Sequence, residues 1–147
     1  MTKEETMTAD LTNRVVVAVI ERDETRIWAT NAEKGTKPEV VHQPANAENH
    51  RHVREAQHHG GHDSDKATKA YYEAISAVLA PAGEILLVGH GNGKSNWMVK
   101  FVQHLERHHK DVAHKVVGAL DINVPAMSEN EILAAARNWF DEPIHRR

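Results

Sequence analysis

The chain has 147 residues, the size of a single globular domain, and no cysteine, which excludes disulfides and thiolate metal ligands. No apolar stretch approaches the roughly 20 residues that span a bilayer, and the N-terminus is too polar for a signal peptide, so we expect a cytoplasmic protein without membrane contact. The formal net charge of −3 rises towards zero when some of the 12 histidines are protonated, so charge does not exclude an RNA-rich partner.

The predicted elements begin after a polar tail, residues 1–12. Residues 14–20 form an uninterrupted β-branched run, which is typical of a strand covered on both faces. The polar turn 21–24 and the run 25–30 predict a second strand that pairs back in a hairpin. Residues 39–42 predict a short third strand at a sheet edge.

A long polar segment, residues 43–65, follows the third strand. It carries five histidines, two arginines and the pair Gly60 and Gly61, with almost no apolar residue. Because a loop of this length is unusual inside a compact domain, we expect it to be functional or disordered. We call it the histidine-rich segment.

The second half of the chain alternates helices and strands. Asp63–Asp65 is an acidic cap for a first helix, and Ser128 with Glu131 is the capping-box pattern that opens the last one. Two apolar runs, residues 84–88 and 115–120, predict buried strands. The apolar stripes of the three helices are Tyr71, Tyr72, Ile75, Val78 and Leu79; Trp97, Phe101 and Leu105; and Ile132, Leu133, Ala136, Trp139 and Phe140.

The element order is therefore βββαβαβα. A β-α-β unit requires a right-handed parallel crossover, whereas hairpin strands are antiparallel, so the sheet must be mixed. We predict one α/β domain over residues 13–141, with a five-stranded mixed sheet, helices on both faces and ribonuclease H-like topology. Residues 142–147 form a C-terminal tail.

A family resemblance rests on several stretches taken together. They are Arg26–Trp28, His58–His62, Tyr71–Glu73, Glu84–Gly89, Lys94, His104 with His108–His109, Val117–Gly118 and Ala135–Phe140. With them the chain resembles the small bacterial "translational machinery protein" family. That family is related to the central domain of eukaryotic and archaeal peptide-chain release factors and of Pelota. The resemblance covers residues 13–140 and implies the ribonuclease H-like fold and a role in translation.

The resemblance also points to a catalytic loop tip. In release factors the loop before the first helix of this domain carries a Gly-Gly-Gln tip, which helps water to cleave peptidyl-tRNA. The matching residues here are Gly60, Gly61 and His62, which makes them the candidate catalytic residues of a peptidyl-tRNA ester hydrolase. The glycines keep the backbone freedom of that tip, but histidine replaces the glutamine. The resemblance therefore implies a non-enzymatic accessory protein that binds the ribosome or tRNA in stress or stalling.

The histidine-rich segment has two further interpretations. It could contact RNA, with cations meeting phosphates and imidazoles stacking on bases. The candidate RNA-binding residues are His50, Arg51, His52, Arg54, His58, His59, Lys66, Lys69 and Lys94. It could instead bind zinc or nickel through imidazole nitrogens. The candidate metal ligands are His50, His52, His58, His59 and His62. Their spacing does not preorganise ligands on a helix, so we favour RNA and expect no cofactor.

Two nucleotide chemistries fit the sequence poorly. The glycine-rich turn Gly89–Ser95 departs from the phosphate-loop motif, because Val88 stands where its first glycine should be. The predicted first strand has no carboxylate in its middle, which argues against two-metal nuclease chemistry.

Three further histidines lie near a predicted helix end: His104, His108 and His109. We expect these histidines to be solvated.

Overall fold

The computed structural model describes residues 11–30, 37–43, 62–90 and 97–142. The strands are β1 (Val15–Ile20), β2 (Glu24–Ala29), β3 (Glu39–His42), β4 (Glu84–Gly89) and β5 (Val116–Asp121). The helices are α1 (His62–Leu79), α2 (Trp97–His108), α3 (Lys110–Ala113) and α4 (Glu129–Asp141), with a 3₁₀ turn at Val124–Ala126. Both α3 and the 3₁₀ turn add to the predicted element order.

The five strands form one mixed sheet in the order β3-β2-β1-β4-β5. β2 pairs antiparallel with β1 and with β3, whereas β4 pairs parallel with β1 and with β5. This confirms the predicted five-stranded mixed sheet, with β3 at an edge. The chain first moves outward from β1 to β3 and then returns to β4 on the other side of β1. The direction of winding therefore reverses between β1 and β4.

Helices cover both faces of the sheet, so the core has the three layers expected. One face packs against α1, α2 and α3, and the other against α4 and the 3₁₀ turn. Successive residues of β1 supply both layers, since strand side chains alternate in direction. Val16, Ala18 and Ile20 contribute to the first layer, and Val17 and Val19 to the second. This double burial is the reason that β1 is an uninterrupted apolar run.

Helix α1 crosses the sheet from one end to the other. The Tyr71 hydroxyl donates to the backbone oxygen of Glu21, just after β1 ends. The backbone oxygen of Pro81, just after α1, accepts from the Asn13 N–H before β1 begins. We call the end of the sheet where β1, β4 and β5 finish the carboxyl edge, and α1 runs away from it. The helix starts at His62, so residues 62–65 of the predicted loop are helical.

Helix α4 begins at the predicted capping box. The Glu131 N–H donates to Ser128 Oγ at 3.1 Å, and the Ser128 N–H donates to Glu131 Oε1 at 2.9 Å. Near its other end the helix lies against Gly118 of β5. A β-carbon at Gly118 would lie 2.3 Å from Cζ2 of Trp139, so this close approach of helix and strand requires glycine.

Candidate functional site

Aromatic side chains fill the space between α1 and α2. The Tyr72 ring lies 5.4 Å from the Phe101 ring and 5.5 Å from the His104 ring, and its hydroxyl donates to the backbone oxygen of Trp97. His104 follows Phe101 by one helical turn, so both side chains enter the same interface. His104 is therefore buried, which corrects the expectation that this histidine is solvated.

Glu73 of α1 joins this interface to the end of α2. Glu73 Oε2 lies 2.9 Å from His104 Nε2 and 2.8 Å from His109 Nε2, so one carboxylate oxygen bonds to two imidazoles. His109 stands between α2 and α3, and its backbone N–H donates to the Leu105 oxygen. The side chains are 43% exposed for Glu73, 30% for His109 and 8% for His104. We call this group the Glu–His cluster. It is buried at His104 and partly exposed to solvent at Glu73 and His109.

The charge states of the cluster follow from burial and hydrogen bonding. The hydrogen bond from His109 is the main cause that lowers the pKa of Glu73, and the bond from His104 adds to it. Burial lowers the pKa of His104 and outweighs the opposing effect of Glu73. At neutral pH Glu73 is therefore ionised and His104 is neutral, so the carboxylate oxygen accepts and the imidazole Nε2 donates in their hydrogen bond.

The Glu–His cluster can act in two ways. As a hydrogen-bonded network it fastens α1 to the end of α2. As a ligand set it offers one oxygen and two nitrogens whose positions lie within 4.8 Å of one another. Among the residues that the structure describes, no other group of three or more histidine and acidic side chains meets this distance. The His108 ring, 4.8 Å from the His104 ring, places a further imidazole beside it.

The carboxyl edge is the second feature with functional geometry. The Gln43 N–H donates to the Asp23 oxygen at 2.9 Å, so the histidine-rich segment departs from this edge. Gly89 at the end of β4 pairs with Asp121 at the end of β5, so the glycine-rich turn after β4 departs there too. In open α/β sheets, ligands bind outside the carboxyl ends of strands where the winding reverses. Both polar segments of the chain thus leave the sheet at the edge where such sites occur.

The start of α1 lies beside the same edge. Residues 62–70 precede Tyr71, and at 1.5 Å per residue they extend the helix by about 13 Å. From Lys66 to Ala70 no residue is buried, and Lys66 and Lys69 are exposed. The first turns of α1 therefore offer cationic side chains that the sheet does not cover.

The predicted site residues are only partly covered by the described ranges. Of the predicted RNA-binding residues, the structure places Lys66 and Lys69 on α1. Outside the described residues lie His50, Arg51, His52, Arg54, His58, His59, Gly60, Gly61 and Lys94. His62 is the first residue of α1, and only its backbone is described. The metal set predicted in the histidine-rich segment therefore stays a prediction.

A separate charged group surrounds Arg26 of β2. Its guanidinium lies 3.5 Å from a Glu21 carboxylate oxygen, 4.0 Å from one of Glu24 and 3.2 Å from one of Glu129. It also lies 5.6 Å above the Trp28 ring. These contacts tie the hairpin to the start of α4 and place one cation among three carboxylates. They give no support to two-metal nuclease chemistry at this end of the strand.

The sequence patterns do not predict the Glu–His cluster. Its members come from two helices and the residue between α2 and α3, and their meeting depends on how α1 packs against α2. One local signal was present, since His104 lies three residues after Phe101 on the apolar stripe of α2. Nothing comparable marks Glu73, which is half-buried beside two buried tyrosines.

No protein-family model and no curated protein matches this chain. Among the described residues, no helix has the length and apolar character needed to cross a membrane. Function must therefore be inferred from the chemistry of the carboxyl edge and of the Glu–His cluster.

Proposed function

We propose that this chain is a cytoplasmic, translation-associated protein that acts without catalysis and binds ribosomal RNA or tRNA through the histidine-rich segment. One observation carries the proposal. The histidine-rich segment and the glycine-rich turn with Lys94 both depart from the carboxyl edge, beside the exposed lysines at the start of α1. The described ends of both segments and the exposed lysines of α1 thus lie on one side of the domain.

The strand order supports the proposed kinship with ribonuclease H-like domains. An antiparallel hairpin at one side of β1 and two parallel strands at the other are what that topology requires. We infer that the histidine-rich segment, which lies between β3 and α1, corresponds in position to the catalytic loop of the release-factor central domain. The fold alone implies no activity, so the partner is argued from charge and position.

The cationic groups beside the carboxyl edge suit a phosphate backbone. Lys66 and Lys69 are exposed on α1, and Lys100 is exposed near the start of α2 with its Nζ 5.6 Å above the Trp97 ring. Lysine contacts to phosphate release counterions, so the affinity falls steeply as salt rises. We therefore expect binding that is strongly dependent on ionic strength and only weakly dependent on RNA sequence.

The test is sedimentation of the untagged protein with purified ribosomes at low and at high salt. We expect the protein in the ribosomal pellet at low salt and in the supernatant at high salt. Each phosphate contact should make the slope of log affinity against log salt concentration more negative by roughly 0.9. Absence from the pellet at low salt, with intact ribosomes and folded protein, would overturn the proposal.

A matched pair of charge reversals locates the contact. Lys66→Glu with Lys69→Glu should weaken sedimentation and reduce the salt slope by roughly 2, since each phosphate contact accounts for about 1. Arg107→Glu with Lys110→Glu makes the same change in net charge at exposed positions near the far end of α2. This second variant should bind like the native protein. Equal losses in both variants would indicate a nonspecific charge effect.

A second candidate function is hydrolysis of the peptidyl-tRNA ester. The observation that favours it is the start of α1 at His62, beside the carboxyl edge, since Gly60 and Gly61 directly precede this helix in the sequence. Peptide release from purified stalled ribosomes tests it. Release that is lost with His62→Ala and kept with His50→Ala supports hydrolysis. Binding without release leaves the non-enzymatic function.

A further inference from the structure

The Glu–His cluster has the composition of a metal site. A carboxylate oxygen and two imidazole nitrogens are the three protein ligands of a common kind of zinc centre. Magnesium and calcium select sites built almost wholly from oxygen, so two nitrogens argue against them. Absence of cysteine from the chain does not matter here, because this kind of centre needs no thiolate.

The distances are close to those that a bound ion requires. Bonds of about 2.0–2.1 Å in a tetrahedral arrangement separate neighbouring ligand atoms by about 3.3 Å. Glu73 Oε2 lies 2.9 Å from His104 Nε2 and 2.8 Å from His109 Nε2, and all three atoms lie within 4.8 Å of one another. The two oxygen–nitrogen distances are thus about half an ångström shorter than a bound ion requires. Insertion of an ion also needs a change in which imidazole nitrogens carry protons.

Two of the three ligands are held in place by their surroundings. The His104 ring stacks with the Phe101 ring at 6.4 Å and tilts against the Tyr72 ring, and its side chain is 8% exposed. His109 is held by backbone hydrogen bonds on both sides, from its N–H to the Leu105 oxygen and from the Ala113 N–H to its own oxygen. Ligands held in this way lose little conformational freedom when an ion binds.

We propose that Glu73, His104 and His109 form a zinc-binding site at the outer surface of the α1–α2 pair. The partly exposed Glu73 and His109 leave the fourth position of the ion open to solvent, where a water or an anionic group of a partner can bind. The site is distinct from the zinc or nickel ligands predicted in the histidine-rich segment. It does not depend on the proposed binding to RNA.

A purely structural role for the cluster makes different predictions. In that case the carboxylate accepts two hydrogen bonds that hold α1 against the end of α2, and zinc is not bound. The variant Glu73→Gln separates the two roles, because the new carbonyl oxygen still accepts from imidazole N–H groups but carries no negative charge. A network with only a structural role survives this change, whereas a zinc site loses its charged ligand.

The experiment uses the untagged full chain, first treated with a chelator. Isothermal titration calorimetry with Zn²⁺, and visible absorption with Co²⁺ as a spectroscopic substitute, give the stoichiometry and the affinity. We expect one tight equivalent in the native protein. Glu73→Gln and His109→Gln should each weaken it by more than the 10- to 100-fold that loss of an outer hydrogen-bond partner of a ligand costs. Absence of a tight equivalent in the native protein would overturn the proposal.

Matched control variants remove the same chemical groups elsewhere. Glu106→Gln and His114→Gln change an exposed carboxylate of α2 and an exposed imidazole after α3, and both should leave the tight equivalent unchanged. Circular dichroism melting curves show whether each variant folds. Should Glu73→Gln fail to fold, His109→Gln provides the same test at a residue outside both α1 and α2.

The histidines of the histidine-rich segment are the main competitors for zinc. They are His50, His52, His58, His59 and His62, and a variant that combines His50→Asn, His52→Asn, His58→Asn, His59→Asn and His62→Asn removes them together. This variant should keep the tight equivalent. If it loses the tight equivalent while Glu73→Gln keeps it, the metal belongs to the histidine-rich segment and the proposal for the Glu–His cluster is wrong.

Discussion

The two faces of the sheet are built by different means. Among the described residues, the buried polar side chains are Thr25, Ser76 and His104, and all three lie on the face covered by α1 and α2. The buried residues under α4 are apolar, with Ile132 and Ala136 of the helix packed on alternate strand residues, and the charged group around Arg26 on this face is only partly buried. Hydrogen bonds require a particular direction from donor to acceptor, whereas apolar contacts require surfaces of complementary shape. The first face therefore specifies one arrangement of its helices, and it is also the face that carries the Glu–His cluster.

The largest expected effect on stability comes from removing a large buried side chain from the first face. Phe101 is fully buried, and its ring contacts the rings of Tyr72 and His104. Phe101→Ala should lower the free energy of unfolding by about 3–5 kcal/mol, since it removes a large buried ring and leaves a cavity. Urea denaturation measures the change. Gln103→Ala, at an exposed position of the same helix, should stay within about 0.5 kcal/mol of the native value. A loss for Phe101→Ala no larger than this control would contradict the packing described.

The packing of the second face is tested by adding a side-chain atom where no space is left for it. A β-carbon at Gly118 would lie within 3 Å of two atoms of the Trp139 ring, at 2.3 and 2.7 Å. Gly118→Ala should therefore lower the free energy of unfolding by about 1–3 kcal/mol, because the ring and the end of α4 must shift. The double variant with Trp139→Phe should be less destabilised than the sum of the two single variants, since the smaller ring leaves room for the methyl group. Additive effects would show that the two residues do not meet.

The sequence predicts that both faces of the sheet are covered, because the patterns that indicate buried strands and helix starts are local. The β-branched run of β1 predicts a strand buried on both sides, and Ser128 with Glu131 predicts the start of α4. The predicted mixed sheet also follows from a local hairpin and from the handedness of crossovers. These signals hold because burial and capping act over a few neighbouring residues.

The Glu–His cluster was not predictable by the same means. Glu73 and His109 are 36 positions apart and meet only because α1 and α2 pack side by side. The burial of His104 likewise depends on Tyr72 of another helix. The short helix α3 also escaped prediction, since Lys110–Ala113 is a single turn without an apolar stripe. The position of these residues depends on contacts between helices, which the periodicity within one helix does not predict.

A smaller effect is expected at the hydrogen bonds of the first face. The Tyr71 hydroxyl donates to the Glu21 oxygen at 2.6 Å and lies 2.8 Å from Oγ1 of the fully buried Thr25. Tyr71→Phe leaves the Thr25 hydroxyl without this partner, so the free energy of unfolding should fall by about 1–2 kcal/mol. Adding Thr25→Val should recover part of the loss, because a buried pair replaced by apolar groups of the same shape is nearly neutral. Additive losses in the double variant would show that the hydroxyls do not act as a pair.

The smallest effect is expected at the exposed start of α4. Ser128→Ala removes the side-chain oxygen that accepts from the Glu131 N–H, which should cost about 1 kcal/mol, whereas Ser128→Asp keeps an acceptor and should cost less. Amide hydrogen exchange locates the change. The first turn of α4 should exchange faster in Ser128→Ala, while the amides of α1 should keep their native protection, because α4 packs on the opposite face of the sheet. Faster exchange in both helices would mean that the two faces unfold as one unit, and the contrast between a polar face and an apolar face would then describe composition alone and not local stability.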